Sequence, residues 1–146
     1  MNNEETHTRA QRVVMVVDDS ADIRDILRMW LKHDYRVVEA KDGAAAVRVA
    51  TRECPDLILM DLHMPGIDGF SAAYRIRLLA KLGSHVPIIA ISADPGLGVE
   101  AKHPTTFAHD VGFTDFVPKP FDLEQIEDML ARYLPKRDDE SASATH

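Results

Sequence analysis

Five short apolar runs constrain this chain more than any other feature: Val13 to Val17, Val37 with Val38, Leu57 to Met60, Ile88 to Ile91, and Phe116 with Val117. They are rich in β-branched residues and too short for helices, so they read as strands. Most are apolar throughout instead of alternating. A strand that shows no polar face must be covered on both sides, which is the situation of a parallel sheet sandwiched between helices.

The segments between the runs supply those helices. Ile23, Ile26, Leu27, Trp30 and Leu31 recur at helical spacing, with Ser20 placed as a cap. Trp30 and Tyr133 are expected to fill core or edge space. Residues 43–52 are Ala-rich and follow Asp42 as a cap, and Phe70, Ala73, Ile76, Leu79 and Ala80 predict a third helix ending near Gly83. A last helix runs from Leu123 to Leu134, capped by Asp122 with Gln125 three residues on. Between Ser92 and Gly112, Pro95, Gly96 and Gly98 forbid an early helix, whereas Pro104 suits a first turn. The stretch 94–103 is therefore expected to be an extended loop, with a short helix from Pro104 ending before Gly112. Five strands alternating with five helices predict a (βα)5 doubly wound α/β fold with a five-stranded parallel sheet.

The polar residues that interrupt this pattern fall at equivalent places. Asp18 and Asp19 end the first strand, Asp61 the third, Ser92 the fourth, and Lys119 follows the fifth. All sit at carboxyl ends, where open α/β sheets bind ligands. Neighbouring strands are about 4.8 Å apart, so adjacent first and third strands would bring Asp19 and Asp61 onto one ion. Clustered carboxylates repel unless a cation neutralises them. An all-oxygen ligand set with positions left for water or phosphate favours Mg²⁺ over Zn²⁺, and the seven histidines show no zinc-type pair. Metal, carboxylate, hydroxyl and lysine are together the parts for phosphoryl transfer. Asp61 can act as nucleophile, Lys119 can spread positive charge over the transferring oxygens, and Ser92 can donate to one of them.

Composition narrows the partners. With 17 Lys and Arg against 24 Asp and Glu among 146 residues, the formal net charge is −7, which argues against general affinity for nucleic acid or anionic membranes. The single cysteine, Cys54, permits no internal disulfide and reads as a small residue at a helix end before Pro55. No apolar run approaches the roughly 20 residues of a membrane span, and the N-terminus lacks a secretory h-region. The expected location is cytoplasmic. Residues 1–11 and 136–146 are polar and read as disordered tails around one domain, 12–135, without internal repeat.

Over nearly all of residues 12–135 the chain resembles the receiver domain of two-component response regulators, on "VVDDS", "LILMDLHMPGIDGF", "AISA" and "FVPKPF" in that order. The resemblance implies a flavodoxin-like fold with strand order 2-1-3-4-5. It implies that Asp61 takes phosphate from a sensor histidine kinase or histidine phosphotransfer protein. Mg²⁺ would be held by Asp19, Asp61 and the backbone carbonyl of His63, with Asp18 acting mainly through water. Lys119, before a cis bond to Pro120, would pair with a phosphoryl oxygen, and Ser92 with Phe116 would form the switch pair. Phe116 stands where the family more often has Tyr, so its inward ring would bury apolar surface without a hydroxyl. His63 and Asp94 sit where the family tunes hydrolysis of the phosphate.

The resemblance also implies output through the face formed by the fourth helix, fifth strand and fifth helix. With no DNA-binding or enzymatic segment following the domain, a stand-alone switch is expected, acting on a downstream protein, by passing phosphate onward or by homodimerisation. It would be no enzyme beyond its own phosphorylation and dephosphorylation. The alternative is a Mg²⁺-dependent phosphohydrolase with an aspartyl-phosphate intermediate, but such enzymes usually place the nucleophile on the first strand in an Asp-x-Asp pattern.

Overall fold

A computed structural model describes residues 11–79, 85–93 and 112–135. The elements are β1 (Val13–Val17), α1 (Ala21–Leu31), β2 (Arg36–Ala40), α2 (Gly43–Glu53), β3 (Leu57–Asp61), α3 (Gly69–Arg77), β4 (Ile88–Ser92), β5 (Asp115–Pro118) and α4 (Leu123–Tyr133). All strand pairs are parallel, in the order β2-β1-β3-β4-β5. This is the expected doubly wound fold, with four helices among the described residues. The third helix ends at Arg77 with Leu78 as its C-cap, before Leu79 and short of the end expected near Gly83. The short helix expected from Pro104, the 94–103 loop, Asp94 and both tails, save Gln11, lie outside the described residues, so α4 corresponds to the expected fifth helix.

The unbroken apolarity of the strands has a direct structural cause. Successive side chains point to opposite faces. Met15, Val17, Ile58, Met60, Ile88 and Ala90 pack on one side against Ala46 and Ala50 of α2 and Ala72, Ala73 and Ile76 of α3. Val14, Val16, Leu57, Leu59, Ile89, Ile91 and Val117 pack on the other, against Leu27 and Leu31 of α1 and Ile126 and Leu130 of α4.

Each helix starts on a side-chain cap. Ser20 Oγ accepts from Ile23 N at 3.3 Å and Asp42 Oδ1 from Ala45 N at 2.8 Å. Asp68, not anticipated as a cap, accepts from Ser71 N at 2.9 Å. Asp122 and Gln125 form the reciprocal capping box. Cys54 closes α2 in a left-handed conformation, φ 48°, at the helix end the sequence suggested.

The helical spacing of Ile23, Ile26, Leu27, Trp30 and Leu31 does produce α1, but Trp30, expected to fill core or edge space, is 42% exposed and forms a surface stripe with Ile26, 48% exposed, and Met29. Only Leu27 and Leu31 are buried on this helix, with Ile23 partly covered. Apolar residues at i, i+3 and i+4 mark one side of a helix, but where two such sets overlap the sheet decides which faces inward. Leu27→Ala should therefore cost about 2–5 kcal/mol of unfolding free energy in denaturant titration, whereas Trp30→Ala should cost about 1 kcal/mol or less. Equal losses would contradict this placement.

Candidate functional site

The strand register builds the site. Val17 pairs with Met60, so the next residues, Asp18 and Asp61, come level at the carboxyl rim of the two central strands. Sequence order reverses between those strands, β1 leading to β2 on one side and β3 to β4 on the other, which is the crevice where open α/β sheets bind ligands. Asp61 pairs with Ile91, placing Ser92 one step further on β4. Ser92 is paired with Pro118, and its carbonyl accepts from the N–H of Lys119 at 2.8 Å. The residues separated by up to 101 positions in the chain thus reach one rim.

Asp18 and Asp61 are almost fully buried and Asp19 is exposed, yet one carboxylate oxygen from each lies within 4.8 Å of the others. Lys119 Nζ reaches 3.3 Å from Asp61 Oδ2 and 3.7 Å from Asp18 Oδ2. One ammonium among three carboxylates leaves a surplus of negative charge in a partly dry site. Oxygen donors so arranged fit a hard divalent cation, because the single charge of Lys119 does not balance three carboxylates. Asp19, the most open of the acids, has its carboxylate at the mouth of the cluster.

The turns around the acids are held tightly. Ser20 N donates to Asp18 Oδ1 at 2.9 Å, and His63 N donates to Asp61 Oδ1 at 3.1 Å. The side chain of His63 is exposed, so its backbone is the part that adjoins the phosphoacceptor candidate. Beneath that turn Gly69 approaches so closely that a Cβ would stand 2.7 Å from the Asp61 carbonyl oxygen and 2.8 Å from Leu62 Cα. Only glycine allows α3 to start this near the end of β3. Phe116 is half-buried against the core on the α2 and α3 side. The Lys119–Pro120 bond is cis, as expected.

Sequence reasoning missed Arg24 and Glu39. Arg24 Nη1 donates to the backbone carbonyl of Asp18 at 2.8 Å and its Nε to Glu39 Oε1 at 3.0 Å, while Arg28 Nη1 reaches Glu39 Oε2 at 2.8 Å. No local spacing announces this group, because Glu39 arrives through the pairing of β2 with β1.

An open parallel sheet with buried acids and a lysine at its switch point is the architecture of a doubly wound ligand-binding domain, and comparison with known proteins narrows it. Residues 14–131 match the sequence model of the response regulator receiver domain. The chain is 29% identical to sporulation initiation phosphotransferase F of Bacillus subtilis, covering 84% of this chain and 93% of that protein. It is 36% identical to the probable transcriptional regulator ycf27 of Guillardia theta, covering 91% of this chain but 49% of that longer protein. Among solved structures, the chemotaxis protein CheY4 of Vibrio cholerae superposes with a TM-score of 0.76 at 28% identity, over 86% of this chain and all of CheY4. The receiver domain of sensor histidine kinase PA1611 from Pseudomonas aeruginosa, which carries a magnesium ion in its active site cleft, gives 0.72 at 32% identity over 87% of this chain and 100% of that one. The chain belongs to the response regulator receiver-domain family of two-component systems, whose members act as phosphorylation-dependent switches. No helix among the described residues is long and apolar enough to cross a membrane.

Burial raises the pKa of Asp18 above its ordinary 3.8; the Ser20 N–H opposes this, Asp61 adds to it, Lys119 opposes it and Asp19 adds to it. A carboxyl whose folded pKa exceeds its unfolded value supports the fold below the unfolded value and loses that contribution as pH rises through the folded one. Removing the charge does not orphan Lys119, which keeps Asp61 at 3.3 Å. In metal-free buffer Asp18→Asn should therefore melt above the native protein at pH 7, with the gap closing as pH falls toward 3.8. A lower melting temperature for Asp18→Asn at pH 7 would contradict it.

Proposed function

We propose that this receiver domain accepts a phosphoryl group on Asp61 from a phosphohistidine, on a sensor histidine kinase or a histidine phosphotransfer protein, and that the modification changes a surface read by a downstream protein. The observation that carries this reading is the meeting of buried Asp61 with Asp18, Asp19 and Lys119 at one rim. Asp18, Asp19 and Asp61, with the carbonyl of His63, would hold Mg²⁺, which supplies positive charge to the phosphoryl oxygens during transfer. A carboxylate oxygen of Asp61 attacks phosphorus as the P–N bond breaks, its electron pair returning to the donor's imidazole ring. Lys119, already 3.3 Å from Asp61, moves its ammonium onto a phosphoryl oxygen.

Ser92 and Phe116 fit the switch role by placement. The buried serine lies beside Asp61's strand, and Phe116 pairs with Ala90 one strand away, leaving its half-buried ring at the edge of the core. When the hydroxyl turns to the phosphate, the ring follows into the vacated space and alters the face made by β5 and α4. The net charge of −7 speaks against direct binding to nucleic acid or anionic membrane, so the reader is a protein, including a second copy of this chain. The domain turns over no substrate beyond its own phosphorylation and dephosphorylation, and works in the cytoplasm.

Incubation with acetyl phosphate and Mg²⁺ should label native protein stoichiometrically in a hydroxylamine-sensitive form, and Asp61→Asn should abolish the label. Rapid turnover of many phosphate esters would favour a phosphohydrolase instead, and a label retained in Asp61→Asn would remove Asp61 from its role. Lys119→Ala should still bind Mg²⁺ while partner capture, compared with and without beryllium fluoride, no longer depends on the phosphoryl mimic. Unchanged dependence would remove the lysine from the switch.

A further inference from the structure

The two acids at the end of β1 are adjacent in sequence, and neighbouring like charges tend to splay apart. What keeps them together is the orientation of the peptide that joins them. Its carbonyl, on Asp18, accepts from Arg24 Nη1 at 2.8 Å. Arg24 is itself fixed: its side chain is 18% exposed, and Nε donates to Glu39 Oε1 at 3.0 Å. Glu39 is steadied in turn by Arg28 Nη1 on Oε2, and Arg28 by Asp25 at 2.9 Å. The opposite edge of Asp18 is secured by its own N–H on the Ala40 carbonyl at 3.1 Å and by Ser20 N on its side chain.

From this geometry we infer that Arg24, braced by Glu39, is a positioning residue for the metal site. It locks the Asp18–Asp19 peptide so that both carboxylates face Asp61, and it does so before any cation arrives. A planar guanidinium suits the task because it can serve a carbonyl and a carboxylate at once, at fixed angles, where an ammonium offers a single charge centre. The inference rests on the reading of the acids as a Mg²⁺ site and assigns Arg24 a role that opposes its charge. A positive group near a cation site weakens binding by Coulomb repulsion, so charge alone predicts tighter binding when it is removed. Positioning predicts the reverse.

The test is Mn²⁺ titration followed by electron paramagnetic resonance, with Mg²⁺ competition, on the native protein, Arg24→Met and Arg28→Ala. Met keeps the apolar stem and loses only the guanidinium. Arg28→Ala removes an equal charge from Glu39 without touching Asp18. Arg24→Met should bind the cation about tenfold more weakly, the scale on which loss of such supporting partners is felt. Arg28→Ala should bind as the native protein does. Binding by Arg24→Met as tight as native or tighter overturns the inference, and so does an equal loss in Arg28→Ala. Absence of binding in the native protein overturns the metal reading itself, and this role with it.

Should Arg24→Met fail to fold, the native protein still decides. Its metal-free Arg24 Nη1 protons, which bond the Asp18 carbonyl, must be protected from solvent exchange in nuclear magnetic resonance spectra, and rapidly exchanging Nη1 signals overturn the inference.

Discussion

Mutual repulsion among carboxylates at the rim of the sheet is the constraint around which the rest of this molecule is organised. Asp18 and Asp61 are nearly as buried as Val17 and Met60, which precede them, although an unpaired buried carboxylate is costly. The fold tolerates them because three neighbours contribute something positive or hydrogen-donating: the ammonium of Lys119, the N–H of Ser20 and the N–H of His63. These donors fall short of three charges. The remainder is a surplus of negative charge that suits a cation.

The apolar strands are the means of holding that unfavourable cluster. With both faces of β1, β3 and β4 fully packed, the strands cannot slide, and a slip of one residue would put every inward side chain on the wrong face. The register that brings Asp18 level with Asp61 is therefore enforced by the hydrophobic core on both sides. This is why the fold and the acid cluster were legible together in the sequence. Unbroken β-branched runs announced the parallel sheet, and the polar residues that broke the runs at Asp18, Asp61 and Ser92 announced the rim.

Other features depend on placement that local sequence does not carry. Ile26 and Trp30 share the helical spacing of Leu27 and Leu31, and only the position of α1 on the sheet sends one pair inward and leaves the other at the surface. Arg77 is similar. It looks like a charge at the end of α3, yet it is half-buried and donates to the carbonyls of Gly112 and Val86 and to Thr114 Oγ1, fastening α3 to the starts of β4 and β5. Burial lowers its pKa, as burial does to any cation. Strand order itself came from family resemblance, since five alternating units fit several orders equally well.

The first turns of α1 tie these levels together. Ser20 spends its hydroxyl on capping the helix and its N–H on the side chain of Asp18, so the start of α1 and the aim of that acid are one piece of structure. One turn on, Arg24 takes the carbonyl of the same aspartate, and its own N–H is bonded to the carbonyl of Ser20. Asp18 is thus held through main chain and side chain by a single rigid helix. That helix also carries the exposed stripe of Ile26, Met29 and Trp30. Its inward residues, Leu27 and Leu31, are packed on the sheet, so the same helix that aims the acid is itself fixed by the core.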